Sequence, residues 1–133
     1  MSSDSQQESQ QKNVLGQRLE TCGSNPVTGF FRDGCCHTSP EDLGIHTVCC
    51  IVTEKFLAMS AQLGNDLSTP MPHFGFAGLR PGDRWCVCAP RWLQVQRAGA
   101  ACPVVLEATH ERTLEIVPFE ILLQYAVIPR TLQ

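Results

Sequence analysis

The sequence contains no run of about 20 apolar residues, the length that a membrane-spanning helix requires. It also has few charges: only 17% of its 133 residues are Asp, Glu, Lys or Arg, against about 25% in a typical globular domain. Basic residues are not in excess, since 10 stand against 13 acidic residues for a net charge of −3. A polybasic membrane surface and a nucleic-acid interface both need concentrated positive charge. We therefore expect neither a membrane nor a nucleic acid as a partner, and the sequence indicates no other binding partner.

Several sequence motifs of catalysis are also missing. There is no glycine-rich phosphate loop, no G-x-S-x-G and no H-E-x-x-H. Residues 1–12 are rich in Ser and Gln and lack the apolar stretch of a secretory signal. We expect a disordered tail over residues 1–12, a single globular domain over residues 13–133 and a cytoplasmic location.

Cysteine is what the sequence has in abundance. A chain of this length can bury enough apolar surface to fold without crosslinks. In the reducing compartment that we expect, disulfides are rare, so a disulfide scaffold is not predicted. The thiols are expected instead to be metal ligands, redox-active groups or small core side chains. There are eight of them: Cys22, Cys35, Cys36, Cys49, Cys50, Cys86, Cys88 and Cys102.

The pattern Cys86-Val87-Cys88 gives the most specific indication of a metal site. Residues i and i+2 of a strand project from one face, with Cα atoms about 6.5–7 Å apart. Two such thiolates can reach one tetrahedral zinc ion at Zn–S distances of about 2.3 Å. The competing interpretation is that both thiols are core side chains, because free cysteine is among the most buried residue types.

Further metal ligands are expected earlier in the chain. Zinc is the default metal for thiolate and imidazole ligands, and Cu(I) or an iron–sulfur cluster also suits thiolates. Strand geometry limits the set, because His46 and Cys49 would face opposite sides of a regular strand unless His46 precedes it. The full set that we predict is Cys86, Cys88, Cys35, Cys36, Cys49 and His46.

A second hypothesis is a thiol-dependent enzyme or redox protein. In it, Cys35 or Cys36 is the nucleophile and His46 or His110 is the base. The paired cysteines follow Arg32, and a nearby positive charge is typical of reactive thiolates. A polar loop that buries one thiol and exposes the other explains the same residues without chemistry.

A third hypothesis is a domain that binds a small molecule or a partner and uses its cysteines only as core side chains. The connection over residues 65–83 is rich in Pro and Gly. Loops of this length are uncommon in compact domains and often face a ligand. The residues that we expect to line such a pocket are Asp66, Trp85 and His110.

Local signals predict short helices and strands. Strands are expected over residues 46–53, 84–89, 103–109 and 113–117, and helices over residues 39–44, 54–63 and 90–98, with a last helix from Pro118. Thr53 is expected to cap the second helix, and Gly44 to end the first in a left-handed conformation. Residues 80–83 fit a type II turn. The predicted fold is α+β: a two-layer α/β sandwich with a small sheet, helices on one face and long Pro/Gly-rich loops.

Several phrases resemble one bacterial family in order and spacing. They are NVLG from Asn13, TGFFRDGCC ending at Cys36, PEDLGIHTVC ending at Cys49, GNDLSTP from Gly64, GLRPGDRWCVCA ending at Ala89 and PVVLEATH ending at His110. The family is the one catalogued as domain of unknown function 2237, and the resemblance covers nearly everything after residue 12. It implies a two-layer α/β sandwich and no established activity. His37, Cys50 and Cys102 depart from the family's expected Asn, Ala and Pro, so the resemblance does not place them in a shared site.

Overall fold

The computed structural model describes residues 11–127. Its strands are β1 (His46–Ile51) and β2 (Arg84–Cys88), and its α-helices are α1 (Glu54–Gln62), α2 (Ala89–Arg97) and α3 (Phe119–Gln124). Short 3₁₀ helices lie at Pro72–Phe74, Leu106–Ala108 and Glu111–Glu115. This mixed architecture confirms the α+β class. The tail predicted for residues 1–12 lies outside the described residues except for Gln11 and Lys12, and Lys12 bridges to Arg18.

The two strands pair antiparallel, and their register contains one irregularity. Cys49 lies opposite Cys86, and Val48 lies opposite Val87. The register then shifts between His46 and Val48, so that His46 pairs with Cys88. A bulge of this kind places two residues of one strand opposite one residue of the other and changes the direction of a side chain.

One face of this two-stranded sheet packs against the helices in the main hydrophobic core. Trp92 of α2 and Phe56 of α1 are fully buried there, together with Leu122 of α3. Val48 and Val87 meet them from the sheet. The opposite face carries Cys49 and Cys86 into a second, smaller core. The strands therefore divide the interior into an aliphatic and aromatic side and a sulfur-rich side.

Two of the predicted helices form almost as expected. Thr53 caps α1, because its hydroxyl accepts a hydrogen bond from the Phe56 backbone N–H at 3.1 Å. Pro90 lies in the first turn of α2, where its missing N–H costs no hydrogen bond. The turn at residues 80–83 is also confirmed, since Asp83 N–H donates to the Arg80 carbonyl and Gly82 has a φ of 97°.

Three local predictions are wrong. Residues 39–44 form turns and no helix, and the left-handed residue is Ile45 (φ 52°), not Gly44. The strands predicted over residues 103–109 and 113–117 are replaced by isolated bridges and 3₁₀ helices. The β-branched residues there are buried against the sheet. Their backbone makes only isolated hydrogen bonds to the edge of β1, from Ile51 N–H to the Pro103 carbonyl and from Val105 N–H to the Cys49 carbonyl. Burial explains the apolar pattern at those positions without strand pairing.

Candidate functional site

Four cysteines converge on the sulfur-rich side of the two-stranded sheet. Cys22 is bonded to Cys49, and Cys36 to Cys86, as two disulfides. All four are buried, and the sulfurs of Cys22, Cys36 and Cys49 lie within 4.8 Å of one another. The expectation that the thiols would not form disulfides is therefore wrong. The disulfides crosslink loops to the sheet, which local sequence signals cannot reveal.

The other four cysteines are free thiols in three different settings. Cys50 and Cys102 lie together in the main core, where burial raises the pKa of the Cys50 thiol well above its usual value. Cys35 is half-buried on a loop and lies near Thr21. Cys88 stands apart from the disulfides, at the end of β2. The C-x-C pattern thus does not deliver two thiols to one site, because Cys86 is bonded to Cys36.

Cys88 lies next to His46 because of the bulge in β1. Directly opposed residues of an antiparallel pair have Cβ atoms about 4.5–5.5 Å apart, and His46 and Cys88 are such a pair. Interaction with the Cys88 side chain is the largest cause of a His46 pKa raised to about 9, and Asp42 raises it further. His46 is consequently an imidazolium at neutral pH. Cys88 also precedes the first residue of α2, so its sulfur lies at the positive end of a helix dipole.

Asp42 completes a line of three polar side chains. Its Oδ1 lies 2.6 Å from His46 Nδ1, and its Oδ2 accepts hydrogen bonds from the His46 backbone N–H at 2.9 Å and the Thr38 hydroxyl at 3.1 Å. The carboxylate is fully buried. A buried carboxylate needs a charged or hydrogen-bonding partner, and His46 supplies both. Because Nδ1 is committed to Asp42, Nε2 is the ring nitrogen left for Cys88.

The Cys88–His46 pair opens into a pocket with a volume of about 380 Å³. Phe30 stacks against the His46 ring, with centroids 6.0 Å apart. Across the pocket, the Arg32 guanidinium lies 5.1 Å from the centroid of the Trp85 ring. The lining residues are Phe30, Arg32, His46, Asn65, Leu67, Phe76, Trp85, Cys86, Val87 and Cys88.

Backbone strain is concentrated at this pocket. Among residues 11–127, the non-glycine residues with positive φ are Arg32 (φ 55°) and Ile45 (φ 52°). One lines the pocket, and the other immediately precedes His46. Such conformations cost about 1–3 kcal/mol each and cluster at functional sites. Gly44 is also needed here, because a Cβ atom at that position would lie 2.7 Å from His46 Cε1 and 3.1 Å from Cys88 Sγ.

Other residues predicted for a site lie elsewhere. His110 caps the 3₁₀ helix Glu111–Glu115 by accepting from Arg112 N–H, and burial lowers its pKa to about 4, so it is neutral. Asp66 is exposed and caps its own turn through Ser68 and Thr69. Of the three predicted pocket residues, the structure places Trp85 at the pocket described above.

The predicted metal ligands divide into separate groups. Cys36, Cys49 and Cys86 join Cys22 in the disulfide cluster, whereas His46 and Cys88 face the pocket. Cys35 belongs to a third, partly exposed group with Asp33 and His37, whose ligand atoms lie within 4.8 Å of one another. The four sulfurs of the disulfide cluster have the composition of a tetrathiolate metal site, although they are bonded in pairs here.

Asp42, Phe30 and Arg32 are the site residues that the sequence analysis missed. Asp42 falls inside the helix predicted over residues 39–44, which gives it no part in a site. The available signal was its position four residues before His46, which brings the two side chains together if the intervening chain turns back. Phe30 and Arg32 carried no local signal, because their loop reaches the pocket only through tertiary contacts.

Comparison with known proteins identifies the family of the chain but no activity. No helix among residues 11–127 is both long and apolar enough to span a membrane. A search of the curated proteins finds no match to this chain. One family model, described as "Uncharacterized protein conserved in bacteria", matches residues 12–126. The match covers most of the chain, so this cysteine-rich protein belongs to that bacterial family, domain of unknown function 2237.

Proposed function

We propose that this protein is a thiol-dependent enzyme in which Cys88 is the nucleophile. His46 is the acid–base group, and Asp42 is the carboxylate that orients it. The observation that carries the proposal is geometric: buried Asp42 lies 2.6 Å from His46, His46 is paired with Cys88 across the two strands, and both His46 and Cys88 line one pocket. This proposal agrees with the second sequence hypothesis in being a thiol-dependent enzyme. It differs in the nucleophile, which is Cys88 and not Cys35 or Cys36.

The geometry suits acyl transfer from an electrophilic carbonyl to water. The Cys88 sulfur attacks the carbonyl carbon and forms a C–S bond, while the bond to the leaving group breaks and His46 Nε2–H gives that group its proton. Neutral His46 then takes a proton from water as the water oxygen attacks the thioester. The C–S bond breaks, and the sulfur returns as a thiolate beside the imidazolium. Asp42 keeps the ring in one orientation throughout.

The test is to find which thiol reacts first with a neutral electrophile. We expect iodoacetamide at pH 7 to label Cys88 about tenfold faster than Cys35, because Cys88 is paired with His46, whose raised pKa makes it a neighbouring positive charge. Buried Cys50 and Cys102 should stay unlabelled in the native protein. Peptide mapping by mass spectrometry measures each rate, with no reductant added so that the disulfides stay closed.

Two serine variants provide matched controls for the labelling. Cys88→Ser should remove the fast phase and leave slow labelling of Cys35, and Cys35→Ser should leave the fast phase intact. A fast phase that survives Cys88→Ser, or Cys35 reacting ahead of Cys88, would rule out Cys88 as the nucleophile.

A second candidate function is zinc binding by the disulfide cluster in its reduced form. Three of its four sulfurs already lie within 4.8 Å of one another. In a tetrahedral zinc site with Zn–S distances of about 2.3 Å, sulfurs are about 3.8 Å apart. Disulfides are rare in the cytoplasm, the location that we propose. Reduction of both bonds by a cellular dithiol would leave four thiols, and zinc would displace their four protons.

Zinc content tests this second candidate. We expect protein reduced and purified with zinc to retain about one ion per chain, and air-oxidised protein to retain none. The pair Cys36→Ser with Cys86→Ser should lose the metal. Cys88→Ser should keep it, because Cys88 lies outside the cluster. Metal lost with Cys88→Ser would indicate a site built on Cys86-Val87-Cys88, and reduced protein without metal would exclude zinc.

The expectation that the protein has no nucleic-acid partner stays a prediction.

A further inference from the structure

The pocket beside Cys88 is positively charged and has no negative side chain in its lining. Its basic groups are Arg32 and His46, and none of its lining residues is Asp or Glu. Asp42 lies behind His46, fully buried, and its charge is taken up by that imidazolium. A ligand in the pocket therefore meets uncompensated positive charge at Arg32, although the net charge of the protein is −3.

Arg32 is held in place without a carboxylate partner. Its Nη1 donates to the Gly29 carbonyl at 2.8 Å, and its guanidinium lies over the Trp85 ring. Among residues 11–127 it forms no salt bridge, although Arg112 does. The guanidinium keeps further N–H donors, in the planar arrangement that matches a carboxylate. The left-handed backbone at Arg32 is a local cost that such a role would explain.

The remaining wall of the pocket is aromatic and apolar. Phe76 packs on Trp85 with ring centroids 5.4 Å apart, and Phe30 is 37% exposed beside His46. Leu67 adds an aliphatic surface. A volume of about 380 Å³ is near the lower end of the roughly 300–1,000 Å³ range of small-molecule sites. The pocket thus has room for one small organic molecule and offers it a flat, apolar surface.

Resting on the thiol enzyme proposed above, we infer that the substrate is a small carboxylate-bearing compound with a planar apolar body. Its carboxylate binds the Arg32 guanidinium, its apolar body packs against Trp85, Phe30 and Phe76, and its electrophilic carbon faces Cys88. Arg32 is in this scheme the residue that determines specificity for acids. A charge-assisted hydrogen bond contributes enough to favour an acid over its neutral amide by roughly tenfold.

Two matched pairs of alkylating probes test the inference at Cys88. The anionic probes are iodoacetate and 4-(bromomethyl)benzoate, and their neutral counterparts are iodoacetamide and 4-(bromomethyl)benzamide. We expect the benzoate-to-benzamide rate ratio at Cys88 to exceed the ratio for N-acetylcysteine by roughly tenfold. The excess should be smaller for the iodoacetate pair, which lacks the aromatic body. An equal ratio on protein and on N-acetylcysteine would overturn the inference.

Variants of arginine identify the group responsible. Arg32→Gln should bring both probe ratios close to those of N-acetylcysteine, and Arg32→Lys should restore part of the preference. Arg84→Gln removes the same charge from an exposed site on β2 outside the pocket and should change neither ratio. Equal effects of Arg32→Gln and Arg84→Gln would overturn the assignment.

Competition by unreactive anions separates carboxylates from phosphates. Benzoate should protect Cys88 at a lower concentration than inorganic phosphate does. Stronger protection by phosphate would overturn the carboxylate assignment. If Cys88 reacts with neither member of a probe pair, the thiol enzyme itself fails. If Cys88 reacts without preferring the acids, only the substrate class fails.

Discussion

Replacing His46 with glutamine should lower the rate at which iodoacetamide alkylates Cys88 at pH 7 by one to two orders of magnitude. An acid–base partner typically contributes at least about that much. A positive charge beside a cysteine is typical of reactive thiols, and the glutamine amide cannot carry the charge that His46 places next to Cys88. The rate is measured in a Cys35→Ser background, so that the other free thiols are the fully buried Cys50 and Cys102.

Asp42→Asn provides the companion variant. It keeps the shape of the side chain but removes the charge that stabilises the imidazolium, so it should lower the same rate by a smaller factor. Thr38→Val removes the hydroxyl that donates to Asp42 without touching His46 or Cys88, and serves as the control for local disruption. An alkylation rate unchanged by His46→Gln would contradict the proposed mechanism.

The raised pKa of His46 gives the free energy of unfolding a defined pH dependence. The folded-state pKa of His46 is about 9, above the ordinary value of 6.5. Protonated His46 therefore stabilises the fold, fully below about pH 6.5 and progressively less as the pH rises through about 9. Urea unfolding of the wild type and of His46→Gln should differ more at pH 6 than at pH 10. A difference that grows with pH would show that His46 does not take up a proton on folding.

Reducing both disulfides in metal-free protein is expected to cost most of the stability of the fold. The bonds close loops with sequence separations of 27 and 50 residues. Loop-closure entropy then predicts contributions of about 3.5 and about 4 kcal/mol. Because folded domains are stable by only about 5–15 kcal/mol, losing both should leave the protein marginal or unfolded.

Denaturant titrations with and without reductant and chelator measure this effect. The pair Cys36→Ser with Cys86→Ser should be the more destabilising, by about 0.5 kcal/mol over the pair Cys22→Ser with Cys49→Ser, because it opens the longer loop. Zinc added to the reduced wild type should restore the folded state if the second candidate function holds. Reduction without any loss of stability would show that the bonds do not constrain the unfolded chain.

The sequence predicted the parts of the fold that depend on short-range interactions. Thr53 caps α1 through a residue three positions away, Pro90 starts α2, and the turn at residues 80–83 follows from a proline and a glycine. It failed at residues 103–117. An apolar, β-branched pattern there records burial, and whether burial brings strand pairing depends on a partner strand from elsewhere in the chain.

Residues of the candidate site divide in the same way. The sequence indicated His46 and Cys88 as members of one metal set, and His46 also as the base for Cys35 or Cys36, but not as the partner of a Cys88 nucleophile. Their pairing depends on the bulge in β1 and on the register between β1 and β2. The one extra residue of the bulge places His46 opposite Cys88. Neither the strand period nor the C-x-C spacing contains that information, because both assume regular strands.

By itself, the sequence determined the α+β class, the membership of the family and the abundance of cysteine, because composition and local spacing carry them. Only the tertiary structure decided which sulfurs bond to each other, which thiol meets the imidazole and which loop closes the pocket. Those contacts join residues about 50 positions apart, as Cys36 and Cys86 or Arg32 and Trp85 are. Their geometry depends on packing of the whole chain, to which each local segment contributes only a small part.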